Sequence, residues 1–291
     1  MIPAFDERVI KVGVTIGGKT TYYENLDIRA SGEVLFEGVP GVCDIRISNL
    51  TVDQRNELLT KSSPLYVRGT GQQVIQSEFA EVVLEVGRKS YGTFILYQGQ
   101  VYASAASQPP DIAVLLKSVN SLTPLARTEA VSFGAQEKLS VICRKIAQLF
   151  GAELVFEASD RYVANFAYTG DVFHNLQKIN RIGGIKAAYD SGAKQIIVIN
   201  SSGARRGDVK KINQNTGMVG VPQVSSEGVF VQTLCDRDIL IGGAVEIESV
   251  INPAANGRFT VASIGFDVAN RDQPFYYNLW CTNTIYNEGT V

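Results

Sequence analysis

Over residues 215–249 the chain alternates two sets of side chains. Val229, Val231, Thr233 and Cys235 fall on one face, and Phe230, Gln232 and Leu234 on the other, the period-two signature of a strand. Turn chemistry at Asn215, Gly217 and Gly220 precedes it, and the charged run Asp236-Arg237-Asp238 ends it. A second strand is expected over residues 241–248, with Val245 and Ile247 directed to a core and Glu246 and Glu248 to water or a partner.

The same alternation dominates residues 7–117. Ile10, Val12, Val14 and Ile16 interleave with Val9, Lys11, Gly13 and Thr15, and Gly17-Gly18 predicts a tight hairpin into a strand over 20–29. A second turn is expected at Ala30-Ser31-Gly32-Glu33, then a strand over 43–48. Thr51 and Gln54 have the spacing of a capping box that opens a short helix. Strands follow at 64–69, 78–86 and 93–97. Such a meander of short strands predicts a closed barrel or sandwich, because closure hides strand edges.

From about residue 128 the period changes. Leu139, Ile142, Cys143, Ile146, Leu149 and Phe150 recur at three and four, with Gly151 at the C-terminal cap. Strands are expected at 153–156 and 163–168. A second helix begins after the cap Asp171, buries Val172, Phe173, Leu176 and Ile179, and stops at Gly183-Gly184. A hairpin over 186–199 turns at Asp190-Ser191-Gly192-Ala193. This order predicts a small α/β module with helices on one sheet face. Residues 201–208 have the small, polar make-up of an exposed linker, and the tail from Asn287 that of a frayed end.

The fold class is therefore α+β, mostly β: two antiparallel tube-like β-barrels separated by a small α/β module with two helices. The expected domains are 1–127 (N-terminal barrel), 128–204 (α/β module) and 205–291 (C-terminal barrel).

Composition narrows the function. With 27 basic and 29 acidic residues in 291, the net charge of −2 offers no field for sequence-nonspecific or sequence-specific nucleic-acid binding. No apolar run approaches a bilayer span, and the first residues lack a signal-peptide layout, so no membrane insertion and folding in a cytoplasm are expected. Cys43, Cys143, Cys235 and Cys281 are too dispersed for a zinc knuckle or a disulfide scaffold. Buried thiols are expected, with Cys235 and Cys281 in the same expected barrel and kept unbonded by a reducing compartment.

The segments Gly217-Met218-Val219-Gly220-Val221-Pro222, Gly228-Val229-Phe230-Val231 and Ile241-Gly242-Gly243-Ala244-Val245-Glu246-Ile247 resemble, in order and spacing, the last barrel of baseplate hub proteins of contractile-tailed phages. Residues 256–264, with Asn278-Leu279-Trp280-Cys281, resemble that family's closing hairpin. Residues 92–99 and 109–116 resemble its first barrel. The resemblance covers nearly the whole chain. It implies a structural, non-enzymatic virion protein: a homotrimeric ring in the phage tail baseplate, assembled in the host cytoplasm, which adapts the sixfold tail tube to the threefold central spike. The implied partners are further copies of the chain, the central spike, the tail tube or tube initiator, the tape measure protein and baseplate wedge components. A row such as Glu246 and Glu248 is available to the lumen or rim of that ring.

Candidate chemistry leaves this reading standing. His174, the only histidine, follows Phe173 on a helix with Gln177, Lys178 and Arg181 on its side, which predicts a solvent-facing residue rather than a general base. Asp236 and Asp238 are expected to bond local amides or Arg237 rather than form a catalytic couple. Glu78, Glu81 and Glu85 lie in a strand without a second carboxylate to complete a glycosidase pair. Gly13 to Thr20 satisfies Gly-x-x-x-x-Gly-Lys-Thr, yet joins two β-prone segments where a phosphate loop needs a following helix. Tyr22, Tyr23, Tyr91, Tyr97, Tyr276 and Tyr277 fit barrel cores and cross-strand pairs, or a carbohydrate or partner surface. No catalytic, cofactor-binding or metal residue is assigned. The competing readings are a tail-associated cell-wall hydrolase, a small nucleotide-binding protein, and a receptor-binding or spike-like module of a related injection machine.

Overall fold

A computed structural model describes residues 6–36, 39–62, 65–68, 72–75, 79–120, 128–190, 193–272 and 274–283. The elements begin with β1 (Arg8–Ile16), β2 (Lys19–Tyr23), β3 (Asp27–Leu35), β4 (Val42–Ser48), α1 (Val52–Ser62), β5 (Leu65–Arg68), β6 (Gln72–Ile75), β7 (Glu81–Arg88), β8 (Gly92–Ala106) and β9 (Val114–Val119). Next come β10 (Glu129–Ser132), β11 (Gln136–Lys138), α2 (Leu139–Phe150), β12 (Glu153–Glu157), β13 (Tyr162–Ala164), β14 (Ala167–Gly170), α3 (Val172–Asn180), β15 (Ile185–Asp190) and β16 (Gln195–Asn200). The chain closes with β17 (Lys210–Ile212), β18 (Met218–Val224), β19 (Val229–Leu234), β20 (Ala244–Ile247), a 3-10 turn (Pro253–Ala255), β21 (Gly257–Ala269) and β22 (Phe275–Asn283). Two compact units result: Met1–Glu33 with Gly41–Leu122 and Phe266–Tyr276, and Val34–Pro40 with Thr123–Gly265 and Tyr277–Val291.

In the first unit the strand order is β3-β4-β9-β8-β7-β1-β2, with every one of these pairings antiparallel. Alternation along β1 and β7 sends Ile10, Val12, Val14, Val82, Leu84 and Val86 inward. The Gly17-Gly18 hairpin has two residues between Ile16 and Lys19, with φ of 56° and 77°, the left-handed pair that matches strand twist. Thr51 and Gln54 form the expected capping box: the Gln54 amide donates to Thr51 Oγ1 at 3.3 Å, and the Thr51 amide to Gln54 Oε1 at 3.1 Å. Two expectations fail. The strand expected over 20–29 is instead β2 and β3, parted around Asn25 with φ 61°. Residues 30–33 lie within β3, where Ser31, Gly32 and Glu33 pair with Asp44, Cys43 and Val42. Gly32 serves a close approach instead of a turn, since a Cβ there would stand 2.3 Å from the Val42 carbonyl and 2.5 Å from the Phe266 ring.

In the second unit β12, β16 and β15 form a three-stranded sheet, parallel between β12 and β16 and antiparallel between β15 and β16. On one face Ala187, Ile196 and Val198 share a core with Ile142, Ile146, Leu176 and Ile179 of the two helices. On the other, Ala188, Ile197 and Ile199 pack with Phe36, Val155 and Ile241. Burial on both faces explains why β16 reads as a continuous apolar run. Gly151 caps α2 with φ 66°, and Asp171 caps α3 by accepting from the His174 amide. The strand expected over 163–168 is instead two, broken at Asn165 with φ 49°; β13 pairs with β11 and β14 with β10. Residues 191–192 of the expected hairpin turn, and the tail from Asn287, lie outside the described residues.

The second unit also carries the order β18-β19-β22-β21, with β20 beside β21 and β17 beside β20. Val229, Val231, Thr233 and Cys235 are buried as the alternation requires, with Val245 and Ile247. Gly220 lies inside β18, at an irregularity between Val219 and Gln223, where its φ of 69° accommodates the extra residues of a bulge. The strand expected over 241–248 shortens to β20, because Gly242 turns at φ 74° against the Phe36 ring. Residues 201–208 are no loose linker: the Arg205 amide donates to Gly242 O at 2.7 Å and the Arg206 amide to Glu157 Oε2 at 2.7 Å. Among the described residues the fold is mostly β with three α-helices, and no sheet closes on itself.

Candidate interaction surfaces

The residues singled out for chemistry do not converge. His174 is exposed, and its Nδ1 lies 2.7 Å from Asp171 Oδ2, an extension of the helix cap. Glu85 accepts from Thr93 Oγ1 at 2.8 Å across β7 and β8, Glu81 is exposed on the same strand, and Glu78 lies outside the described residues. Lys19 and Thr20 follow a hairpin turn into β2, so the glycines before them do not open a helix. Among the described residues no group of three or more His, Cys, Asp or Glu could hold a metal, and no helix is long and apolar enough to cross a membrane.

All four cysteines are buried thiols. Burial raises the pKa of each of Cys43, Cys143 and Cys281, the last two to about 12, so they stay protonated and weakly reactive. The tyrosines divide. Tyr23, Tyr97 and Tyr277 are core residues, whereas Tyr22 and Tyr91 are exposed. The Tyr22 ring covers Gly13, where a Cβ would approach it to 2.9 Å.

Ion pairs cluster at a site in each unit, among others. In the first unit Arg29 and Arg46 oppose each other across β3 and β4. With Asp27, Ser48, Arg271 and Asp272 they line a cavity of about 330 Å³. Arg29 reaches Asp267 at 3.4 Å and Asp272 at 3.5 Å, so the pocket holds both signs. In the second unit Lys210 of β17 lies 2.6 Å from Asp236 and 3.2 Å from Asp238, in the segment between β19 and β20. Burial lowers the Lys210 pKa, but the two carboxylates outweigh it and the net shift is upward. Asp236 Oδ1 also accepts from the Asp238 amide at 2.9 Å, as expected of local turn chemistry. The lysine partner was hidden because β17 and the segment after β19 are remote in sequence. Lys211 meets Glu248 at 3.1 Å and Glu246 at 3.5 Å. Its pKa rises through those contacts, Glu248 first, and that of Glu248 falls through bonds from Asn213 and then Lys211.

Both sets of ion pairs lie on a β-rich frame whose buried groups are structural. The same frame occurs in phage tail proteins. A tail protein from Neisseria meningitidis MC58 superposes with a TM-score of 0.61 at 10% identity, covering 94% of this chain and 96% of its own. The 43 kDa tail protein of prophage MuSo2 from Shewanella oneidensis gives 0.59 at 11% identity, covering 94% and 98%. An Escherichia coli component of the type VI secretion system, described as structurally similar to T4 bacteriophage tail proteins gp27 and gp5, gives 0.55 at 13% identity, covering 94% and 77%. No curated protein sequence matches the chain. The family model for baseplate hub gp41 matches residues 9–281, and the chain belongs to that family.

Proposed function

We propose that this chain is a structural subunit of the phage baseplate hub, a homotrimer that adapts the sixfold tail tube to the threefold central spike and performs no catalysis. The observation that carries this reading is the family match across residues 9–281. Each subunit contributes two tube-like barrel domains, residues 1–127 and 205–291, separated by the α/β module of 128–204. Two such domains in each of three subunits present six similar blocks to the tube while the assembly stays threefold, and cyclic symmetry uses each patch three times. The partners are other copies of the chain, the spike, and the tube or its initiator, with tape measure and wedge proteins at the periphery. The location is the virion, after assembly in the host cytoplasm.

The baseplate hub family match supports this reading over a cell-wall hydrolase. Absolute mass by light scattering tests it: a species of three 31.6 kDa chains, alone or with purified spike protein, is expected. One-chain mass at every concentration, with no spike complex, would reject it.

A further inference from the structure

Arg29 of β3 and Arg46 of β4 stand directly opposite each other in their antiparallel pair. Like charges in register across two strands weaken the pairing, so each arginine calls for a compensating anion. Arg29 has this within the fold: Asp267 lies 3.4 Å and Asp272 3.5 Å from its guanidinium. Arg46 does not. Its exposed side chain makes no ion pair or hydrogen bond among the described residues. Asp44, two positions away on the same strand, is paired with Lys117 at 3.7 Å.

Arg29 and Arg46 line the cavity of about 330 Å³ with a third arginine, Arg271. Arg271 donates to Asn25 O at 3.3 Å and meets no carboxylate among the described residues. Two guanidinium groups without a counter-ion thus border one concave space, of a size that small-molecule sites have. The carboxylates of its wall are unevenly placed. Asp272 is engaged by Arg29, and Asp27, in register with Ser48, is the one left without a cation among the described residues. A guanidinium presents its N–H donors in a planar fork that fits two oxygens of a carboxylate or phosphate. Such a group in the cavity would satisfy those donors and offset the repulsion between Arg46 and Arg29 at once.

We infer that this cavity is an oxyanion site, in which a carboxylate or phosphate group is held by Arg46 and Arg271 beside Arg29. Asp27 faces the same space and limits the affinity. All these residues belong to the first unit, so the site is independent of how many copies of the chain assemble.

The test uses the full chain in isothermal titration with sodium phosphate and, separately, sodium citrate, at an ionic strength held constant with chloride so that screening is the same throughout. Saturable binding of at least one anion is expected; phosphate alone assigns a tetrahedral oxyanion, citrate alone a carboxylate. Arg46→Gln should weaken binding at least tenfold, and Asp27→Asn should tighten it at least twofold. Arg237→Gln, on an exposed arginine of the second unit, should leave it unchanged. Melting in chloride alone separates a binding role from a structural one. Because Arg46→Gln removes the opposed charge, that variant should melt no lower than wild type, and the bound anion should raise the melting temperature of wild type only. No saturable binding of either anion, binding that survives Arg46→Gln, an affinity unmoved by Asp27→Asn, or an Arg46→Gln variant that melts below wild type in chloride would overturn the assignment.

Discussion

Gly32 shows how much one missing Cβ can carry. It sits mid-strand, and an added methyl would meet the Val42 carbonyl at 2.3 Å and the Phe266 ring at 2.5 Å. A ring can rotate, but a carbonyl in a ladder cannot yield without breaking the pairing. Gly32→Ala is expected to destabilise the protein by about 2–3 kcal/mol through overpacking, seen as a lower urea midpoint. Gly134→Ala, where nothing lies within 4 Å, should change it little. Equal midpoints for the two variants would contradict the close-approach account. Gly32 was readable as special from composition, but not its purpose: turn glycines and contact glycines look alike until the neighbouring strand is known. Gly17-Gly18 and Gly151 were legible because local backbone conformation alone demands them.

At the scale of the element, the helices were the most legible part. Their 3.6-residue period, the Thr51–Gln54 box and the Asp171 cap all act within a few residues, whereas α3 ends at Asn180 with Arg181 as its C-cap, ahead of the expected stop at Gly183-Gly184. The N-terminus of α2 is the exception, since no neighbour of Lys138 caps it. Asp160 does so from beyond β12, accepting from the Ser140 amide at 3.0 Å and Ser140 Oγ at 2.8 Å. Desolvation raises its pKa, but the bonds from Ser140 and Arg161 and the charge of Lys138 together outweigh it, and the net shift is downward from 3.8. A depressed carboxylate pKa stabilises the fold above the unfolded-state value, and that contribution is lost as pH falls through the folded one. Asp160→Ala should therefore cost about 1 kcal/mol at neutral pH. The gap in melting temperature from wild type should narrow as pH drops below 3.8, and a gap independent of pH would count against the charge-assisted cap. Strand existence was equally legible from alternation, whereas the break at Asn165 and the bulge at Gly220 were not, because each is settled by a partner strand remote in sequence. The Lys210 contacts with Asp236 and Asp238 stayed hidden for the same reason.

For the whole molecule, the sequence carried the family through the order of glycine-bounded strands in residues 217–247 and 256–281, and the match over residues 9–281 agrees with that order. No chemical motif could have done so: the Gly-Lys-Thr run is a hairpin, the histidine extends a cap and the thiols are buried. Surfaces are harder to read than cores, because an exposed valine in a strand has the same spacing as a buried one. The central claim is a threefold ring, and electron microscopy of the purified chain at high concentration, with spike protein added, tests it most directly. End-on class averages are predicted to show three equal subunits around a centre. Averages showing only single subunits, or a closed assembly without a threefold axis, would contradict it.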